Sequence, residues 1–202
     1  YDGTARSISV PAPAGASVTY STDGVSYSTQ NPTFTNVTNG PQTVYYLVEK
    51  ANYESVSGTL GVEITPRSVV VSGLTVSDKV YDQNTTATPV TQNAVLTGKI
   101  ASDELTVRVS AHFLDADAGE NKPVYFSNMS LTGAKAGNYE IDPASQTVFI
   151  SHGDCEGDAR FVADEIRRRF GTQQIYINYV GPVIGNHSGP GTLALFFLGS
   201  QR

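Results

Sequence analysis

Short runs of β-branched and aromatic residues, separated by turn formers, fill the first three quarters of the chain. Val18-Thr19-Tyr20-Ser21, Thr43-Val44-Tyr45-Tyr46-Leu47-Val48, Val69-Val70-Val71, Leu105-Thr106-Val107-Arg108-Val109 and Val124-Tyr125-Phe126 carry side chains that fit a pleated surface. Between them stand Asp23-Gly24, Asn31-Pro32, Asn39-Gly40-Pro41, Thr97-Gly98, Ala118-Gly119 and Ala136-Gly137-Asn138, the residue types of tight turns. Strands this short with turns this frequent predict a mainly β chain of antiparallel immunoglobulin-like modules.

Near residue 148 the pattern changes. Val148-Phe149-Ile150-Ser151 predicts a strand. From Asp154 to Phe170, Cys155, Ala159, Val162, Ile166 and Phe170 recur at spacings of four, three, four and four, which is one helical stripe. Asp154, Glu156 and Asp158 at its start and Arg167, Arg168 and Arg169 at its end complement the helix dipole, and Gly171 supplies a stop. Residues 174–180 and 192–198 predict two more strands, giving a small partial α/β segment in the order β-α-β-β. The glycine-rich stretch between them, 181–191, predicts a loop whose backbone amides can approach an anion.

Two internal echoes set the domain boundaries. Tyr1-Asp2-Gly3-Thr4 returns as Tyr81-Asp82-Gln83-Asn84, and Ala51-Asn52-Tyr53-Glu54 as Gly137-Asn138-Tyr139-Glu140. The Tyr-Asp to Asn-Tyr separations are 51 and 57 residues, so the copies have nearly equal length. Charge divides at the same place as pattern: residues 1–147 hold eight Lys or Arg and fourteen Asp or Glu, and residues 148–202 hold five of each. The expected organisation is a first β module over 1–66, beginning partway into its fold, a second over 67–147, and an α/β fragment over 148–202.

The whole chain has 202 residues and a net charge of −6, so the cationic face that phosphate backbones require is missing and nucleic acid is not an expected partner. No apolar run approaches the ~20 residues of a membrane-spanning helix, and no basic-then-apolar leader opens the sequence. The single cysteine, Cys155, excludes an internal disulfide framework, and no metal site is expected. There is no Gly-x-Ser-x-Gly elbow and no P-loop ending, so neither hydrolysis nor phosphoryl transfer has an anchor, and the chain reads as a non-enzyme without a cofactor.

Several motifs in order carry a family resemblance. Tyr1-Asp2-Gly3, Tyr20-Ser21-Thr22-Asp23-Gly24, Asn52-Tyr53-Glu54 and Ile64-Thr65-Pro66-Arg67 resemble the MBG-type repeat of bacterial surface proteins. Ser72-Gly73-Leu74, Asp78-Lys79-Val80-Tyr81-Asp82, Leu96-Thr97-Gly98-Lys99 and Leu131-Thr132-Gly133-Ala134 through Tyr139 resemble the YDG module, with Gln83 in place of the name-giving glycine. Ile150-Ser151-His152-Gly153-Asp154-Cys155, Gly181-Pro182-Val183-Ile184-Gly185, His187-Ser188-Gly189-Pro190-Gly191-Thr192 and Leu195-Phe196-Phe197-Leu198-Gly199 resemble the carboxyl end of the DegV family of fatty-acid-binding proteins. The first two resemblances imply an extracellular or cell-surface spacer or adhesion segment with a protein or glycan partner. The third implies a long-chain fatty acid, a cytoplasmic carrier as the alternative reading, and His187, Ser188, Gly189 and Gly191 at the lipid head group.

Other chemistry is read from the residues directly. Tyr20, Tyr27, Tyr45 and Tyr46 can form a contact strip, since tyrosine joins an apolar body to a polar tip. His152, three residues before the helix, is read as a cap, and Cys155 as a structural thiol on the apolar stripe. Asp115, Asp117 and Glu120 form an acidic loop without EF-hand spacing, read as a solvated turn. Residues 148–151 satisfy both the last strand of the second β module and the first strand of the tail. If the β module keeps that strand, the tail is left with a helix and two strands exposing Phe196 and Phe197, which are expected to seek cover against the β module or another chain.

Overall fold

In a computed structural model, residues 1–172 and 174–197 are described. The strands are β1 (Ser17–Ser21), β2 (Gln42–Glu49), β3 (Val56–Val62), β4 (Arg67–Ser72), β5 (Thr75–Val76), β6 (Thr86–Ala87), β7 (Pro89–Val90), β8 (Val95–Thr97), β9 (Thr106–Phe113), β10 (Val124–Thr132), β11 (Tyr139–Ile141), β12 (Thr147–His152), β13 (Gln174–Tyr179) and β14 (Leu193–Phe196). Two helices, α1 (Glu156–Phe170) and α2 (Pro182–Ser188), flank β13. The chain is mainly β with a late β-α-β region, as the pattern predicts. Two compact units interleave along it. One holds Tyr1–Arg67, Ile100–Asp103 and Ala134–Glu140; the other holds Ser68–Lys99, Glu104–Gly133 and the described residues from Ile141 on.

The first unit is built on an antiparallel sheet in the order β1-β2-β3. Tyr20 lies opposite Tyr46, and Val44 opposite Leu60. Alternation puts Tyr20, Val44 and Tyr46 on one face, where Ile8, Val10 and Phe34 cover them. A second focus is polar. Tyr1 and Tyr139 both donate their hydroxyls to Asp103 Oδ2, at 3.0 and 2.7 Å, with the rings edge to face at 5.4 Å. Burial, and then the Asp103 carboxylate, push the Tyr139 phenol above its ordinary pKa. Asn138 accepts the Val37 N–H at 2.8 Å and donates to Asn36 at 3.1 Å.

In the second unit, strands β10-β9-β6 form one sheet, β4 pairs with β8, and β5 with β7. Ala87, Ala111 and Phe126 make its buried centre, with Leu74, Val76 and Met129 against them. The repeated Leu-Thr-Gly motif has a geometric cause. Gly98 (φ 100°) and Gly133 (φ 127°) follow β8 and β10, and a Cβ there would stand 2.8 Å from the Ser68 carbonyl oxygen and 2.3 Å from that of Glu104.

The shared strand belongs to the tail. β12 is the middle of a sheet ordered β13-β12-β14, parallel to β13 and antiparallel to β14. Val148 and Ile150 face α1, where Ala159 and Ala163 are fully buried and Val162, Ile166, Ile175, Ile177 and Leu193 complete the packing. Phe170, expected on this stripe, is 56% exposed. It is the last residue of α1, next to Gly171 (φ 69°), which ends the helix. The third strand ends at Phe196, and Leu198 and Gly199 lie outside the described residues.

Candidate functional site at the strand ends

Parallel strands β12 and β13 end at His152 and Tyr179, and α/β sheets place ligands beyond such carboxyl ends. Motifs from 150–155 and 187–192 meet there. The Gly153 N–H donates to the Thr192 carbonyl at 2.8 Å, and the Gly191 N–H to the Gly153 carbonyl at 2.6 Å. A Cβ on Gly153 would stand 2.9 Å from the Gly189 carbonyl oxygen, so only glycine lets the two turns touch. Cys155 is the N-cap residue of α1; its N–H donates to His152 Nδ1 at 3.3 Å and its thiol to the Thr192 carbonyl at 3.3 Å. His152 is 2% exposed, with its ring 4.5 Å from that of Tyr179. Both residues therefore hold the turn together.

The glycine-rich stretch contains a helix where the sequence predicts a loop. Pro182 sits in the first turn of α2 with its φ already set, and Gly189 (φ 76°) ends it. His187 and Ser188 lie exposed in the last turn, and the Ser188 hydroxyl donates to the Ile184 carbonyl at 2.8 Å. The four head-group candidates thus separate: Gly189 and Gly191 pack around Gly153, while His187 and Ser188 face outward.

An apolar cleft of about 340 Å³ opens elsewhere in this unit, lined by Phe126, Met129, Ile141, Phe149, Phe196 and Phe197 among others. Phe196 and Phe197 remain 57% and 63% exposed on its rim. Beside it the tail meets β10. Tyr125 packs edge to face on Phe149 at 5.2 Å, and Phe149 stacks on Tyr176 at 5.5 Å. Burial raises the Tyr176 pKa, and its hydroxyl donates to the Val124 carbonyl at 2.6 Å. The sequence signals only the apolar run 193–197; the pairing of Phe149 and Tyr176 with Tyr125 depends on a register that periodicity alone does not set.

The four tyrosines do not share a surface. Tyr20 and Tyr46 pack on the core face of the first sheet, Tyr45 points to the other face beneath Gly24, and Tyr27 is 39% exposed. In the loop after β9, the Lys122 ammonium binds the Asp115 carboxylate and the Asp117 carbonyl, so the acidic turn is closed by its own cation. Lys79 does the same in the Tyr-Asp turn. Its ammonium lies 2.7 Å from Asp82 Oδ1, 2.7 and 3.0 Å from the Asn84 carbonyl and side-chain oxygens, and 3.0 Å from the Thr86 carbonyl. Among the described residues, no three His, Cys, Asp or Glu side chains converge as metal ligands, and no helix is long and apolar enough to cross a membrane.

Comparison with known proteins follows this division. Residues 65–148 match the YDG domain, and residues 134–200 match the DegV family of uncharacterised proteins. The matches overlap over 134–148, where β12 begins. A DegV domain-containing protein of Clostridium perfringens is 48% identical over 62 residues, covering 31% of this chain. The chain spans 21% of the length of that curated relative. No solved structure matches.

Proposed function

We propose that the chain is a non-catalytic, cell-surface spacer or adhesion-type segment, with an MBG-like module over 1–66 and a YDG module followed by a DegV-like fragment that binds no fatty acid by itself. One observation carries this reading: His187 and Ser188 stand exposed on α2, and the Ser188 hydroxyl is engaged by its own helix. A carboxylate held there would lie in water, where a hydrogen bond contributes little net free energy. Partners of this reading are a surface protein or a glycan.

A specific observation favours a second reading. The cleft beside Phe149 and Phe196 is apolar and falls in the size range of small-molecule sites. A fatty-acid carrier would use it for the acyl chain. Native mass spectrometry of the full chain purified from a bacterial host separates the two. The spacer reading expects a bare protein mass. A stoichiometric acyl adduct that is lost in Phe149→Asp overturns it in favour of the carrier.

A further inference from the structure

The outer edge of the β10-β9-β6 sheet is closed by side chains instead of a strand. β10 is its terminal strand, and Val124 and Phe126, two residues apart, direct their carbonyls to the same side. Each carbonyl accepts a hydroxyl from the tail: Tyr176 donates to Val124 at 2.6 Å, and Thr147 to Phe126 at 3.0 Å. The same Thr147 hydroxyl also donates to Gln174 Oε1, at 2.8 Å. A hydroxyl carries one proton, so Thr147 divides its proton between Gln174 Oε1 and the Phe126 carbonyl, while the Val124 carbonyl has the Tyr176 proton to itself. Past Ser127 the ladder with β9 breaks until Ser130, with Asn128 at φ 51°, so the regular edge ends there.

We propose that the DegV-like tail serves this chain as an edge cap, occupying the backbone acceptors through which β10 would otherwise pair with a second copy. An exposed edge is a template for another strand. A hydroxyl ends the ladder because it satisfies a carbonyl without presenting a new row of donors and acceptors. The aromatic contacts of Phe149 and Tyr176 with Tyr125, at ring separations of 5.2 and 6.4 Å, hold the tail against β10. The inference stands apart from the choice between spacer and carrier, since it concerns what the tail does for the sheet.

The test is Thr147→Val with Tyr176→Phe in the full chain, which removes two oxygens and little volume. Sedimentation equilibrium should show a weight-average mass that rises to at least twice the parent's over a concentration range in which the parent's is constant. Adding Ser127→Lys, a charge on the freed edge, should return the mass to the parent value. A mass independent of concentration in the double variant, or association that the lysine does not reverse, overturns the proposal. Should the double variant lose its near-UV circular dichroism, the parent decides by NMR. Slowly exchanging Tyr176 and Thr147 hydroxyl protons with contacts to Val124 and Phe126 support the cap, and hydroxyls exchanging as fast as free side chains refute it.

Discussion

The two Tyr-Asp turns follow one backbone path with different residues. At Asp2 the carboxylate accepts the Thr4 N–H at 3.0 Å, and at Asp82 it accepts that of Asn84 at 3.2 Å. The residue between is left-handed in both, Gly3 at φ 77° and Gln83 at φ 63°. The cation differs: Arg6 reaches Asp2 from the exterior, while Lys79 is surrounded by four oxygens and lies 5.8 Å from the Phe113 ring centre. The motif thus prescribes a carboxylate-capped, left-handed turn and leaves the source of the counter-ion open. The Asn-Tyr echoes diverge further. Asn52 (φ 67°) makes a turn before β3 with Tyr53 70% exposed, whereas Asn138 and Tyr139 are 5% and 7% exposed.

That divergence gives the largest expected effect. Tyr139→Ala removes a buried ring and strips Asp103 of a donor, and should cost about 4 kcal/mol. Tyr53→Ala, on the surface, should leave the urea midpoint where it was. Equal losses at both positions would mean that the two echoes do the same work. Next come the cations. Lys79→Met removes the cation that four solvent-accessible oxygens share and should lower the urea midpoint by a small but measurable amount. Arg6→Met breaks an exposed pair, and chemical denaturation should not resolve the change. The swap between the turns themselves follows. Gln83→Gly relieves a left-handed glutamine and should stabilise by about 1 kcal/mol, and Gly3→Gln should destabilise by a similar amount. If Gln83→Gly lowers the melting temperature, the side chain has a role beyond the turn.

Much of this was legible in the residues because the signals are local. Leu131-Thr132-Gly133 and Tyr1-Asp2-Gly3 mark positive φ directly, and the stripe Ala159, Val162, Ile166 finds α1 to within two residues. The helix at 182–188 was hidden by the glycines in and around it, since helix propensity counts Gly185 against it and Gly181 and Gly189 read as loop. The fate of residues 147–152 was not legible. Alternating Val148, Ile150 and His152 suit either sheet, and the choice falls to partners far along the chain: Leu193 and Leu195 on one edge, and Ile175 and Ile177 on the other. The same holds for the head-group candidates, whose exposure depends on how α2 ends.

The smallest expected effect concerns acid. Asp2 is held down to about 2 from an ordinary 3.8, first by the Thr4 hydroxyl and N–H and only then by Arg6. Asp82 is also lowered, but there the Lys79 ammonium comes first and the Asn84 N–H after it. A carboxylate whose pKa is depressed in the folded chain adds stability that is present above its unfolded pKa and lost as pH falls through the folded one. For Asp2 that window runs from 3.8 down to about 2. Carboxyl carbon chemical shifts followed by NMR can read each turn separately. Thr4→Ala should raise the Asp2 midpoint more than Arg6→Met does, because the hydroxyl is fixed 2.7 Å away while the guanidinium is exposed. At Asp82 the order reverses, and Lys79→Met should move the midpoint more than any change at Asn84. If Arg6→Met shifts Asp2 the further, the first turn, like the second, is held by its cation, and the contrast between the two copies reduces to glycine against glutamine.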